Sequence, residues 1–84
     1  MPNLKAAFDQ AVAASKALPE KPDNMTLLKI YALYKQATEG NAEGKRPGFG
    51  DMVGRAKFDA WAAVKGHSTD DARQAYIDLI ESLK

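Results

Sequence analysis

Two tyrosines and a lysine lie close together in the sequence, at Tyr31, Tyr34 and Lys35. On an α-helix, which turns by about 100° per residue, Tyr31 and Lys35 lie one turn apart and Tyr34 borders both. A phenol offers an aromatic face and a hydroxyl group, and an ammonium group binds anions. This spacing predicts a surface that binds an anionic and partly apolar partner.

The composition is typical of a small globular domain. The chain has 84 residues, 45% hydrophobic and 27% charged, which favours one domain over residues 1–84 with a modest core and no deep catalytic cleft. The net charge of +1 is far from the basic excess of a general nucleic-acid binder, so no nucleic-acid partner is expected. Residues 35–57 carry five cations and three anions, which makes the middle of the chain basic.

The sequence also bears on the cellular compartment. It contains no cysteine, so it offers no disulfide and no thiolate chemistry and fits a reducing compartment. Lys5 and Asp9 interrupt the alanine-rich N-terminal segment, which therefore lacks the apolar core of a secretory signal. We expect a cytoplasmic protein.

Capping residues and helix breakers divide the chain into four predicted helices. Gly40 and Gly66 suit the ends of the second and third helices, where a positive φ is common. No segment alternates with period two over a strand's length, so the sequence predicts an all-α bundle. The predicted N-caps each precede apolar residues at helical spacing: Asn3, Asp23 or Asn24, Asp51, and Ser68.

The second helix and the loop after it carry the clearest pattern. The loop over residues 40–51 is longer than most helix–helix connections, so it must cross over the fold. No apolar stripe is left over for a second copy of the chain, and we expect a monomer. The predicted apolar stripe of the second helix consists of Leu27, Ile30, Tyr31, Tyr34 and Ala37.

Several short motifs resemble, in order and spacing, the acyl-CoA-binding protein family. The resemblance extends over nearly the whole chain and implies an antiparallel four-helix bundle with a long crossover between helices 2 and 3. It also implies non-catalytic binding and intracellular carriage of medium- and long-chain fatty acyl-CoA esters. The motifs are residues 31–38, Arg46-Pro47-Gly48, residues 56–61, Lys65-Gly66 and Ala75-Tyr76-Ile77.

The resemblance implies a set of ligand-binding residues for the CoA head group. Ammonium groups suit the phosphates of CoA, and a tyrosine offers its ring to the adenine and its hydroxyl to a phosphate. The implied partners are fatty acyl-CoA itself, lipid-metabolising enzymes and, transiently, membranes. The implied head-group residues are Lys16, Tyr31, Tyr34, Lys35, Lys57 and Tyr76.

The acyl chain is expected to lie in an apolar groove between helices. Each buried methylene contributes about 0.8 kcal/mol, so affinity should rise with chain length until the groove of this small domain is filled. The expected groove residues are Met25, Leu27, Leu28 and Phe58.

Two positions depart from the pattern of the family. Val53 stands where many members carry a lysine, and Phe58 where many carry tryptophan. Arg55 lies about 200° around the helix from Val53, so it does not directly replace the missing cation. We expect these changes to alter the strength of binding and not the class of ligand.

The sequence leaves one alternative function and argues against catalysis. A small helical module could use the same aromatic and basic face to dock an acidic amphipathic helix of a partner protein. The single histidine, His67, lies between Gly66 and a predicted N-cap and is expected to be a loop residue. We expect no enzyme activity, no catalytic residue, no metal site and no cofactor other than the acyl-CoA ligand.

Overall fold

Four α-helices account for most of residues 3–84, the part of the chain that this computed structural model describes. They span Leu4–Ser15 (α1), Asn24–Glu39 (α2), Met52–Ala63 (α3) and Thr69–Leu83 (α4). No strand occurs within residues 3–84. The predicted all-α four-helix bundle is therefore confirmed.

Each helix begins with the kind of cap that the sequence predicts. The side chain of the preceding residue accepts a hydrogen bond from a backbone N–H of the first turn, which would otherwise lack a partner. At α2 the cap is Asp23 and not Asn24. The first-turn bonds run to Asn3 from Lys5 at 2.9 Å, to Asp23 from Thr26 at 2.8 Å, to Asp51 from Gly54 at 2.9 Å and to Ser68 from Asp71 at 3.0 Å.

Glycine ends α2 as expected. Gly40 has φ 81° and ψ −150°, a conformation that is essentially restricted to glycine. Its N–H donates to the carbonyl of Gln36 at 3.2 Å, which closes the last turn. A side chain at position 40 would strain the point where the crossover loop leaves α2.

The helices pack in the order α1, α4, α2, α3, with α2 and α4 in the middle. Gln36, near the end of α2, reaches the carbonyl of His67 just before α4, whereas Lys29, earlier in α2, shares a hollow with Asp78, far along α4. α2 and α4 are therefore antiparallel. In contrast, Tyr31 of α2 lies beside residue 57 of α3, and residue 35 lies beside residue 61, so α2 and α3 run in the same direction.

The same-direction pairing of α2 and α3 explains the long crossover. After 16 residues of α2 the chain must return over roughly 24 Å, at about 1.5 Å per residue, before α3 can begin. Residues 40–51 can span roughly 40 Å when extended, at about 3.3 Å per residue. The loop is long because a parallel helix pair cannot be joined by a short turn.

The core lies between α1, α2 and α4. Tyr76 and Ile80 of α4 are 2% and 0% exposed and pack against Phe8 of α1 and Leu33 of α2. No residue of α3 is fully buried. The remaining buried apolar residues are all alanines: Ala11, Ala32, Ala37 and Ala72.

The buried face of α2 differs from the predicted stripe. The fully buried residues are Ala32, Leu33, Gln36 and Ala37, whereas Leu27, Ile30 and Tyr31 are half-buried and Tyr34 is exposed. Only Ala37 belongs to both sets. The difference arises because α2 packs against α4 on one side and α3 on the other, so a single stripe does not describe it.

A polar network around the buried side chain of Gln36 joins the ends of three helices. The side-chain amide of Gln36 donates to Asn41 Oδ1 at 2.9 Å and to the carbonyl of His67 at 2.7 Å. Asn41 Oδ1 also accepts from the N–H of Gly66 at 2.9 Å. These bonds tie the start of the crossover loop to the turn between α3 and α4.

Candidate functional site

Two cation–aromatic pairs lie side by side along the contact between α2 and α3. The ammonium group of Lys57 lies 5.3 Å from the ring centroid of Tyr31, and that of Lys35 lies 4.9 Å from the ring of Trp61. Within each helix the two residues are four apart, so one turn of each helix separates the pairs. Because the helices run in the same direction, the pairs form a continuous strip, which we call the cationic seam.

Lys35 is the more enclosed of the two lysines. Its side chain is 22% exposed, and its ammonium group donates to the carboxylate of Glu39 one turn along α2. This hydrogen bond raises the pKa of Lys35 above its ordinary value of 10.5, against the opposing effect of desolvation. The seam therefore carries a stable positive charge at neutral pH, already balanced by one carboxylate.

Three aromatic rings meet where α1, α2 and α4 come together. Tyr34 stacks against Phe8 with 6.1 Å between centroids, and Tyr76 meets the edge of Phe8 at 5.1 Å. The rings of Tyr34 and Tyr76 are 6.4 Å apart. Tyr76 is buried and Tyr34 is 39% exposed, so the cluster joins the core to the surface.

An apolar cleft opens beside the cationic seam, between the first halves of α2 and α3. Its volume is about 450 Å³. Tyr31 and Lys57 line both the seam and this cleft, so a polar strip and an apolar hollow share an edge. The lining residues are Asn24, Leu27, Leu28, Tyr31, Met52, Val53, Ala56 and Lys57. We call this the α2–α3 cleft.

The structure brings together some of the expected site residues and separates others. Leu27 and Leu28 line the α2–α3 cleft, whereas Met25 lines a different hollow, towards the C-terminal half of α3. Phe58 is half-buried and lies outside the cleft lining. Lys16 is exposed at the C-terminal end of α1, and its ammonium group makes no ion pair within residues 3–84.

Sequence reasoning missed part of the site. Met52 and Ala56 line the cleft. Trp61 lies half-buried under Lys35 and donates its indole N–H to the carbonyl of Gly40 at 2.7 Å. The spacing of Lys57 and Trp61 repeats that of Tyr31 and Lys35, which is a signal that could have identified the pair. The exposure of Met52 had no such signal in the sequence.

The structure also shows where Val53, one of the two departures from the family pattern, and the neighbouring Arg55 lie. Val53 is 67% exposed at the rim of the cleft, where it adds apolar surface and no charge. The guanidinium carbon of Arg55 lies 4.1 Å from the ring centroid of Phe49, outside the cleft lining. As the helical spacing predicts, Arg55 does not take the place of a cation at position 53.

Other kinds of site lack supporting geometry in the described part of the chain. Within residues 3–84, no group of three or more histidine, cysteine, aspartate or glutamate side chains could hold a metal ion. No helix among these residues is both long and apolar enough to cross a membrane.

Comparison with known protein sequences identifies relatives. A family model described as Acyl CoA binding protein matches residues 5–80. The chain is 47% identical over 80 residues to Acyl-CoA-binding protein homolog 1 of Caenorhabditis elegans, which covers 95% of this chain and 93% of that protein. It is 45% identical over 76 residues to human Enoyl-CoA delta isomerase 2, covering 90% of this chain but 19% of that protein.

Comparison with solved structures gives the same picture. The crystal structure of Oryza sativa Acyl-CoA-Binding Protein 2 aligns with a TM-score of 0.92 and 38% identity, covering 96% of this chain and 90% of that one. The crystal structure of ACBP from Moniliophthora perniciosa aligns with a TM-score of 0.87 and 40% identity, covering 94% and 78%. The helix arrangement described above is shared with both proteins.

Proposed function

Because the chain belongs to the acyl-CoA-binding protein family, we propose that it binds fatty acyl-CoA esters and carries them without chemical change. The observation that carries this proposal is the shared edge between the cationic seam and the α2–α3 cleft. An acyl-CoA has an anionic nucleotide at one end and an alkyl chain at the other. A surface with charge on one side of Tyr31 and apolar walls on the other matches that ligand.

The head group is assigned to the cationic seam and the adjoining tyrosines. Lys35 and Lys57 supply ammonium donors for phosphate oxygens, and charge-assisted bonds of this kind contribute roughly 1.5–3 kcal/mol each. Tyr31 and Tyr34 expose ring surface on which the adenine can stack. The buried ring of Tyr76 packs on the core side of Tyr34, with 6.4 Å between the ring centroids.

Lys16 is assigned to the head group by its position in the family pattern. It is exposed at the end of α1, and α1 also contributes Phe8, which stacks on Tyr34. An exposed lysine at this helix end offers a further ammonium group to the phosphates of the head group. Its contribution is expected to be weaker than those of Lys35 and Lys57, because no contact holds it in the seam.

The acyl chain is assigned to the α2–α3 cleft. Leu27 and Leu28 form one wall, and Ala56 and Val53 form the other. Burial of each methylene contributes about 0.8 kcal/mol, so affinity should increase with the length of acyl chain that is buried. Met25 and Phe58 lie outside the lining, so their effect on binding is expected to be small.

The remaining aspects of the function follow from the same assignment. The protein acts as a single acyl-CoA-binding domain, catalyses no reaction, and needs no cofactor besides its ligand. We place it in the cytoplasm as a monomer that receives acyl-CoA from membranes and passes it to lipid-metabolising enzymes.

Titration calorimetry with esters of increasing chain length tests the proposed function. Affinity is expected to rise from octanoyl-CoA to palmitoyl-CoA and then to level off, while free CoA and free fatty acid bind much more weakly. Negligible heats for every ester would contradict the proposal and favour the alternative, a module that docks an acidic amphipathic helix. Release of CoA during incubation would contradict carriage without chemistry.

The two seam lysines provide a test of the head-group assignment. Lys35→Ala and Lys57→Ala should each weaken palmitoyl-CoA binding by about 1.5 kcal/mol or more, roughly tenfold, with little change in Tm. Lys65→Ala removes the same charge from an exposed position outside the seam and is the matched control. If all three variants bind like the wild type, the phosphates lie elsewhere.

A further inference from the structure

A second hollow lies next to the α2–α3 cleft, on the side of α3 that faces the crossover loop. Its volume is about 330 Å³, and its lining consists of Phe49, Met52, Arg55, Ala56 and Asp59. Met52 and Ala56 also line the α2–α3 cleft. The two spaces are therefore adjacent, with these two side chains at their common boundary. We call the second space the loop hollow.

The loop hollow exposes apolar side chains that pack against little else. Phe49 is 86% exposed and Met52 is 77% exposed, although residues of these types are usually well buried. Two large apolar groups that stand next to each other at the surface indicate a binding function more strongly than one alone. Neither side chain is needed for the core, which lies on the far side of α2.

Polar contacts hold the wall of the loop hollow in place. Arg46 of the loop donates to Asp59 of α3 through two parallel bonds of 2.7 and 2.6 Å, which clamp the loop onto the helix. The guanidinium carbon of Arg55 lies 4.1 Å from the ring centroid of Phe49. A bidentate pair and a cation–aromatic contact thus fix the backbone and the ring on either side of the hollow.

The α2–α3 cleft is shorter than a long acyl chain in its extended conformation. The part of α2 that lines it, from Asn24 to Tyr31, is about 10 Å long at about 1.5 Å per residue. With C–C bonds of about 1.5 Å, and an advance of roughly 1.3 Å per bond, this length holds about eight methylenes. Roughly half of an extended palmitoyl chain that runs along α2 lies beyond the end of the cleft.

We propose that the loop hollow binds the distal half of long acyl chains, so that Phe49 and Met52 set the upper range of chain length. The inference rests on the proposed function, because it assigns the end of the same ligand. The chain leaves the cleft over Ala56, whose small side chain leaves room for it, and passes beneath Met52. An unbranched methionine side chain has three rotatable bonds and can fold over an alkyl chain.

Calorimetry of Phe49→Ala and Met25→Ala with esters of different length tests this assignment. Phe49→Ala should weaken binding of palmitoyl- and stearoyl-CoA about three- to tenfold, since each fully buried methylene is worth about fourfold in affinity. Binding of octanoyl-CoA, which fits within the cleft, should change by less than about twofold. Phe49→Leu, which retains an apolar wall, should bind long chains nearly as well as the wild type.

Met25→Ala is the matched control, because Met25 is 81% exposed and lies outside both spaces. It should change binding of every ester by less than about twofold. A Phe49→Ala protein that binds all lengths like the wild type, or that loses affinity equally for all lengths, overturns the assignment while the proposed function stands. A wild-type protein that binds no ester overturns both.

A second measurement locates the chain directly. In NMR spectra of the wild type, saturation with palmitoyl-CoA should shift the ring resonances of Phe49, and saturation with octanoyl-CoA should leave them near their ligand-free positions. Equal shifts with the two esters, or none with either, would place the end of the long chain outside the loop hollow.

Discussion

The side of the molecule formed by α1 and α4 differs sharply from the side formed by α3. Every fully buried residue among residues 3–84 belongs to α1, α2 or α4, whereas α3 contributes none. The α3 side instead carries the cationic seam, the indole N–H bond to Gly40 and the clamp between Arg46 and Asp59. One side of α2 thus contributes the buried core, and the other carries the surface that we propose for the ligand.

This division has a physical reason. A small domain has few apolar residues to spare, and a helix packed on all sides would leave no cleft. Met52 and Val53 are exposed, so the fold leaves their apolar surface unburied at the place that we propose for the ligand. We therefore expect stability and binding to respond to different substitutions.

The largest expected effect is loss of stability on the α1–α4 side. Ile80→Ala removes a fully buried side chain and should lower the free energy of unfolding by about 2–5 kcal/mol, because it combines lost burial with a cavity. Chemical denaturation measures this value. The fraction that remains folded should bind palmitoyl-CoA with wild-type affinity, because Ile80 lies outside both the seam and the cleft.

The matched change on the α3 side is Val53→Ala. Val53 is 67% exposed, so its truncation should alter the free energy of unfolding by less than about 0.5 kcal/mol. Palmitoyl-CoA binding should weaken, because Val53 lines the cleft. The contrast between the two sides would fail if Val53→Ala destabilised the protein as much as Ile80→Ala, or if Ile80→Ala abolished binding by the folded fraction.

An intermediate effect is expected where the two sides meet, at Gln36. Gln36→Leu removes the bonds to Asn41 and to the carbonyl of His67, and should lower the free energy of unfolding by about 1–2 kcal/mol. The loss is limited because leucine also removes the side-chain oxygen of Gln36, which is buried without a partner among residues 3–84. The amides around the turn between α3 and α4 should exchange faster with solvent.

Gln74→Leu is the control for this prediction. Gln74 is exposed on α4, and among residues 3–84 its side chain bonds only to Asp78, four residues away. Its replacement should leave both the stability and the exchange rates nearly unchanged. Faster exchange throughout α1 and α4 in Gln36→Leu would show that Gln36 supports the core as a whole. The two sides would then be less independent than the structure indicates.

The sequence predicted the elements of the fold better than their arrangement. Caps such as Asp51 and Ser68 act through local hydrogen bonds, so they can be read from neighbouring residues. The second helix was predicted with one apolar stripe, but it packs against two helices, and only Ala37 of that stripe is fully buried. The direction of α3 relative to α2 depends on contacts between distant segments, which no local pattern encodes.

The site shows the same limit. The spacing of Tyr31 and Lys35 is local to α2, and the sequence alone indicated that they share a surface. The matching spacing of Lys57 and Trp61 is also local to α3, but which residue of α2 each one contacts depends on the two helices running in the same direction. The exposure of Met52 followed from neither composition nor periodicity, since apolar residues at helical spacing usually predict a core.

The smallest expected effect concerns the clamp that holds the crossover loop on α3. The hydrogen bonds from Arg46 lower the pKa of Asp59 below its ordinary value of 3.8. A carboxylate with a lowered pKa in the folded state stabilises the protein above pH 3.8, and this contribution is lost as the pH falls through the lowered value.

Asp59→Asn should therefore have a slightly lower Tm than the wild type at neutral pH, and the difference should close below pH 3.8. Asp78→Asn, which removes a carboxylate without an ion-pair partner among residues 3–84, is the control for the loss of one negative charge. A Tm difference between the wild type and Asp59→Asn that persists at low pH would mean that Asp59 acts through packing. The α3 side would then depend less on charge than the comparison with the α1–α4 side implies.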